Sequence, residues 1–331
     1  MIDRRAFIGA VAGGLVIARS VAEAQPAAKI YRIGFLGSAN ASSWATQIAA
    51  LRQGLRELGY EEGRNLVIEY RWAEEDYDQL PRLAAELVSQ KVDVIVTHGT
   101  PGSRAAKQAT TSIPIVMAAV GEPVRSGLVA SLARPGGNLT GNSILEADLV
   151  LKRLELVKKI VSNVRRVGLL YAPGTQVGPS AEAARRAVDD AAASLGMQLH
   201  RFSIRESNDV ASALATMVKE KTNALIVGLD APLVPHYAEI ARLAVQYRLA
   251  AAGGAKQFVE VGGLFAYGAN VEEAYRHAAV YVDKILKGAR PADLPIEQPT
   301  TYLLAINLKT AKAIGITIPQ SLLLRADEVI Q

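Results

Sequence analysis

Apolar and polar positions along this chain alternate between two rhythms. Short apolar runs such as "VDVIV" (92–96), "IPIVMAAV" (113–120), "RVGLLY" (166–171) and "ALIVG" (224–228) stop abruptly at small, hydroxyl or acidic residues. Such runs mark strands buried on both faces of a parallel sheet. Between them lie stretches with helical spacing. One carries apolar residues at Ile48, Leu51, Leu55 and Leu58, another at Ala184, Val188, Ala191 and Leu195, each predicting a helix with one buried stripe. Strands alternating with helices predict an α/β fold with parallel sheets, right-handed crossovers, and ligands outside the carboxyl ends of the strands.

The pattern occurs twice. Residues 32–60 and 166–197 share one plan: a basic residue, an apolar strand, a small or polar loop, an amphipathic helix, then Leu-Gly. Residues 92–120 align in the same way with 223–254, setting Thr100 opposite Asp230. The repeat predicts two doubly wound parallel-sheet lobes. The first lobe is expected over 29–141 plus 270–290, the second over 145–267 plus 296–318, and a C-terminal tail over 319–331. The chain then crosses between lobes three times, near 141–145, 267–271 and 291–298, forming a three-strand hinge that lets the lobes close on a ligand.

Composition adds bounds. The chain has 331 residues, half of them apolar, with a net charge of +5 that is scattered rather than gathered into a basic stripe, so nucleic acid is not an expected partner. Residues 1–24 differ in kind: Arg4-Arg5, an apolar stretch from Ala6 to Ala18, and Ala22-Glu23-Ala24 match an export signal of twin-arginine type, with the mature chain starting near Gln25. There is no cysteine to form a disulfide, a thiolate nucleophile or a lipid anchor. An exported protein without an anchor is expected free in the periplasm, and as a monomer.

Catalytic signatures are missing. The sequence has no Gly-x-Ser-x-Gly elbow, no phosphate loop, and no Gly-x-Gly-x-x-Gly after a strand in the mature region. His98, His200, His236 and His277 lack the spacing of a metal site. No cofactor, metal or catalytic residue is expected. The strand ends supply candidate binding residues instead: Ser38 and Ala39 after the first strand, Thr97, His98, Gly99 and Thr100 after "VIV", Val120 and Glu122 in "AVGEP", Tyr171 in "LLYAP", Asp230 in "GLDAP", and Gly254. Ser38 lies beside a helix N-terminus, where unpaired amides favour an anionic group, a reading of equal weight with an ordinary N-cap at Ser42 or Ser43; Thr100 and Ser103 offer the same two readings, and Gly99, which permits close backbone approach, favours binding there. Trp44 reads either as an apolar wall of the site or as packing between elements. An acidic side chain is needed for a ligand ammonium, with Asp230 the first choice and Glu122 the second.

Several long stretches, "LRQGLRELGYEEGRNLVIEYRWAE", "KVDVIVTHGTPGSRAAKQATTSIPIVM", "GLVASLARPGGNLTG", "YVDKILKGARPADLPIEQPT" and "INLKTAKAIGITIPQSLLLRADEVI", closely resemble the ABC transporter substrate-binding family related to tryptophan- and tyrosine-binding periplasmic proteins. The resemblance runs from about Lys29 to Gln331. It implies a type I periplasmic binding-protein fold and delivery of a small solute, an aromatic amino acid foremost, to an inner-membrane ABC permease. The family's Gly-Asp-Pro stands here as Gly121-Glu122-Pro123, and its Asn-Pro as Ala172-Pro173. A ligand-sensing partner of a membrane receptor would share the same cleft. A periplasmic enzyme would need a convergent nucleophile and base, which the sequence does not offer.

Overall fold

A computed structural model describes residues 29–173, 179–205 and 207–331; the expected export signal at 1–24 lies outside the described residues. The first lobe opens with β1 (Tyr31–Gly37), α1 (Ala45–Glu57), β2 (Leu66–Trp72), α2 (Leu80–Ser89), β3 (Val94–Thr97), α3 (Gly99–Ala109), β4 (Ile115–Val120) and β5 (Leu139–Ser143). Its strands form one parallel sheet in the order β2-β1-β3-β4-β5. Every residue of β3 and β4 is buried, as the unbroken apolar runs require of a sheet covered on both faces.

The second lobe contains α4 (Glu146–Ile160), β6 (Arg166–Tyr171), α5 (Pro179–Ser194), β7 (Gln198–Ser203), α6 (Ser207–Lys219), β8 (Ala224–Val227), α7 (Tyr237–Gln246), β9 (Ala250–Gly253), α8 (Lys256–Glu260) and β10 (Phe265–Ala269). The chain then returns to the first lobe through α9 (Val271–Leu286) and comes back with β11 (Tyr302–Asn307), α10 (Leu308–Ile314), α11 (Gln320–Leu323) and β12 (Glu328–Ile330). The second sheet has the order β12-β11-β10-β9-β8-β6-β7.

Two details depart from the simple repeat. β11 runs antiparallel to β10, pairing Ala269 with Tyr302 and Phe265 with Ile306. The chain re-enters this lobe from the cleft side after α9, so its next strand must run away from the cleft. Residues 319–331 are not a free tail either, because β12 pairs with β11 through Ala305–Glu328, Ile306–Val329 and Asn307–Ile330.

Helix α1 also shifts its buried face from the expected stripe. Gln47, Leu51, Gly54 and Leu55 are buried, whereas Ile48 is half-buried and Leu58 exposed. The cause is α9, which packs so closely on α1 that a Cβ at Gly54 would lie 2.5 Å from the carbonyl oxygen of Arg276. The first-lobe core consequently joins Ile33, Phe35, Leu51 and Leu55 to Tyr275, Tyr281 and Val282.

The lobes are joined where β5 runs into α4, where β10 runs into α9, and before β11. Leu145 takes a left-handed backbone (φ 51°) to turn the chain into α4. Two of these connections hydrogen-bond to each other: Ser143 N donates to Glu297 O at 2.8 Å and Glu297 N to Gly141 O at 3.0 Å. Asn142 ties the pair to the first lobe, donating to Ala118 O and Ala274 O, while His277 Nδ1 lies 3.0 Å from its Oδ1. Among the described residues no helix is long and apolar enough to cross a membrane.

Candidate ligand cleft

The carboxyl ends of β1, β3 and β4 face those of β6 and β8 across a cavity of about 200 Å³. It is built from the loops at those strand ends. β3 gives way to α3 through Gly99, whose left-handed backbone (φ 66°) turns the chain at once into a helix. Thr100 reaches the cavity, beside the first amides of α3, which have no intrahelical acceptor and carry the positive end of the helix dipole. Thr97 and Ser103, on either side of it, do not reach the cavity. Thr97 is fully buried and its hydroxyl donates to Leu36 O at 2.9 Å, and the Ser103 hydroxyl donates back to Gly99 O at 2.8 Å.

His98 ties the first two cleft loops together. The Ser38 backbone N–H donates to its Nε2 at 3.1 Å, so the ring proton resides on Nδ1. Complete burial disfavours the imidazolium and drives the His98 pKa down to about 3. The ring is therefore neutral at physiological pH. It lies 4.2 Å from the Trp44 ring, centroid to centroid, with Phe35 and Tyr275 behind the pair. Trp44 serves both of the roles its sequence position allowed: it belongs to the first-lobe core and it forms part of the cavity wall.

Three buried polar atoms on this wall have no hydrogen-bond partner within the protein: Ser38 Oγ, Trp44 Nε1 and Glu122 Oε1. Buried groups of this kind are rare unless something else pairs with them. Burial pushes the Glu122 carboxyl above the usual carboxylate range, against the opposing pull of Arg125 at 3.8 Å.

The second lobe supplies the opposite wall. Asp230 lies on it, but its Oδ2 accepts from the Ala172 N–H at 2.9 Å and so joins the loops after β8 and β6. Glu146, at the start of α4, is held in a fork by Arg153, with Nη1–Oε1 at 2.6 Å and Nη2–Oε2 at 3.1 Å. Arg153 is fully buried and also donates through Nε to Tyr267 O at 2.8 Å.

Five of the expected binding residues fall off the cavity wall. Ala39 and Val120 are fully buried in the first lobe, and the Val120 carbonyl accepts from Ile144 N at 2.7 Å where the chain leaves that lobe. Thr97 is occupied as described. Tyr171 sits half-buried at the end of β6, with its carbonyl accepting from Ile204 N. Gly254 borders a separate cavity, and its missing side chain makes room for Arg153, because a Cβ there would meet Nη2 at 2.5 Å. Ser38, Trp44, His98, Gly99, Thr100, Glu122 and Asp230 do converge on the cavity. Arg104, Arg185 and Arg201 also line it, and no sequence signal marked them, since an arginine on an amphipathic helix or an edge strand reads as a solvated face.

Comparison with known proteins agrees with this architecture. Residues 39–330 match the family model described as ABC transporter substrate binding protein. The chain is 30% identical over 263 residues to the tyrosine-binding protein of Clostridioides difficile (strain R20291), covering 79% of this chain and 74% of that one. A solved structure from Streptococcus pneumonia in complex with L-Trp superposes with a TM-score of 0.82 at 28% identity, over 91% of this chain and 100% of that one. A ligand-free, open substrate-binding protein with adhesive properties from Clostridium difficile gives 0.64 at 25% identity, over the same shares.

Proposed function

The chain belongs to the ABC transporter substrate-binding protein family, and from that premise we propose that it captures a small carboxylated solute, an aromatic amino acid foremost, in the interlobe cleft and presents it to the permease of an inner-membrane importer. The observation that carries this reading is the first-lobe wall: Ser38 Oγ, Trp44 Nε1 and Glu122 Oε1, all buried and all without a partner, face one cavity beside the Trp44–His98 ring pair. The solute's ring stacks on Trp44, its carboxylate takes the Ser38 hydroxyl and the amides at the start of α3, and its ammonium takes Glu122. Glu122 replaces Asp230 as first choice because Asp230 Oδ2 is already held by the Ala172 amide.

Binding is accompanied by closure. Nearer agreement with the L-Trp complex than with the ligand-free, open protein, at similar identity, supports a closed lobe arrangement here. The residues play no catalytic part: His98 is held neutral and spends Nε2 on a backbone amide. Residues 1–24 direct the chain to the periplasm and are removed near Gln25.

Calorimetry on the chain from Gln25, titrated with L-Trp, L-Tyr and L-Phe, tests the assignment. Saturable binding is expected, with a gain of about 2.7 kcal/mol in unfolding free energy at a hundredfold excess over Kd. Trp44→Ala should weaken binding by about tenfold or more while leaving a folded protein. No heat and no stabilisation with any aromatic amino acid at millimolar concentration would reject the ligand class.

A further inference from the structure

The charges around the cavity do not balance for a simple zwitterion. Arg104 and Arg125 border it from the first lobe, Arg185 and Arg201 from the second. Two of its three carboxylates are occupied by the protein, and the third, Glu122, has an arginine beside it. Arg153 holds both oxygens of Glu146, the Ala172 amide holds Asp230 Oδ2, and Arg125 stands 3.8 Å from Glu122. On the cationic side, Arg201 pairs with Asp189 through Nη1 at 2.5 Å. Arg104 and Arg185 make no ion pair among the described residues.

A second observation locates the surplus. The Nε atoms of Arg185 and Arg201 are both buried with no acceptor. The two residues are adjacent, since the Arg201 side chain donates through Nη2 to the Arg185 backbone carbonyl at 3.3 Å. A buried guanidinium N–H without an acceptor is costly, and two of them on one wall call for oxygen atoms from outside the chain. An amino-acid head group cannot supply these, because its carboxylate is already placed against Ser38 and Thr100 on the opposite lobe.

Resting on the reading of this cleft as a solute site, we infer that the natural solute is a net anion: an apolar or aromatic body whose far end bears a second carboxylate, received by Arg185 and Arg201, with Arg104 adding positive charge from the facing lobe. The second carboxylate bridges the lobes. The cleft therefore discriminates between solutes by charge at the end remote from the amino-acid head.

The test compares L-tyrosine with 4-carboxy-L-phenylalanine, which differ in the group at the remote end of the ring, together with terephthalate, which has two carboxylates and no amino-acid head. The carboxylated amino acid is expected to bind about tenfold to a hundredfold more tightly than L-tyrosine, as two charge-assisted contacts allow. Arg185→Gln and Arg201→Gln should each bring the affinity ratio of 4-carboxy-L-phenylalanine to L-tyrosine most of the way back to one. Arg185→Lys should keep part of the gain, and an unchanged thermal midpoint confirms that each variant is folded. Equal or weaker binding of the carboxylated analogue, or a gain that survives both glutamine variants, would overturn the inference while leaving the aromatic amino-acid reading intact. If neither amino acid binds, that reading fails alone, and terephthalate decides the arginines: binding lost in Arg185→Gln supports them, and no binding overturns them.

Discussion

His98 makes the first lobe acid-sensitive, by an amount that follows from its environment. In an unfolded chain the imidazole titrates at 6.5; in the fold, burial lowers this to about 3. The folded state thus binds a proton less readily than the unfolded state at every pH between these values. The stabilising contribution is fully present above pH 6.5 and is lost as pH falls towards 3. The whole difference amounts to about 5 kcal/mol at about 1.4 kcal/mol per pH unit, of which about 2 kcal/mol is gone by pH 5. His98→Gln removes the titration and keeps an oxygen that can accept from the Ser38 amide. Both tryptophans, Trp44 and Trp72, lie in the first lobe, so their fluorescence during urea unfolding reports this lobe specifically. The variant should be less stable at pH 8, where the ring's packing on Trp44 is lost, yet should lose about 2 kcal/mol less than the parent between pH 8 and pH 5. Equal losses in the two proteins would refute the burial argument.

Three further outcomes are expected. Glu146→Gln leaves the fully buried Arg153 without its carboxylate and should cost about 3 kcal/mol by denaturant unfolding, much of it recovered by adding Arg153→Met; a neutral single variant would show that the pair is not desolvated. Gly268→Ala puts a Cβ 1.9 Å from the Gly254 carbonyl oxygen, backbone against backbone, and should destabilise the second lobe by about 3 kcal/mol in thermal unfolding. For an amino-acid ligand with its ammonium at Glu122, affinity measured by calorimetry should rise with pH above about 4.5 as that raised carboxyl ionises, and Glu122→Gln should flatten the profile; the same ionisation costs the ligand-free fold stability over the same rise.

The strand ends were readable because an apolar β-branched run that stops at Gly, Pro or Ser announces both a buried parallel strand and its carboxyl end. That is why the sequence alone places Ser38, His98, Thr100 and Asp230 at one cleft. What the pattern could not reveal is which of these side chains the protein uses itself. Thr97 is consumed by Leu36 O, and Asp230 by the Ala172 amide, each about sixty residues away in sequence. Such partners are set by the relative placement of loops, not by local periodicity. Gly254 misled for the same reason: its role is to clear space for an arginine on another helix. The cleft arginines were hidden because burial on one side of α5 or β7 leaves no trace in a helix that is otherwise polar.

Helix α9 has a consequence for how the chain is made. The first lobe begins at β1, but its core is finished by Tyr275, Tyr281 and Val282, and Tyr60 donates its hydroxyl to Asp283 at 2.9 Å. A ribosome delivers β1 to β5, then nearly all of the second lobe, before it delivers these groups. Until then α1 presents an uncovered apolar face with a glycine notch at Gly54, the kind of exposed surface that favours misassembly. The half that is synthesised first is completed second, so a fragment ending at Ser143 would keep the core under α2 and α3 but leave the α1 face of its sheet open, and sealing the first lobe also threads the hinge through its final path.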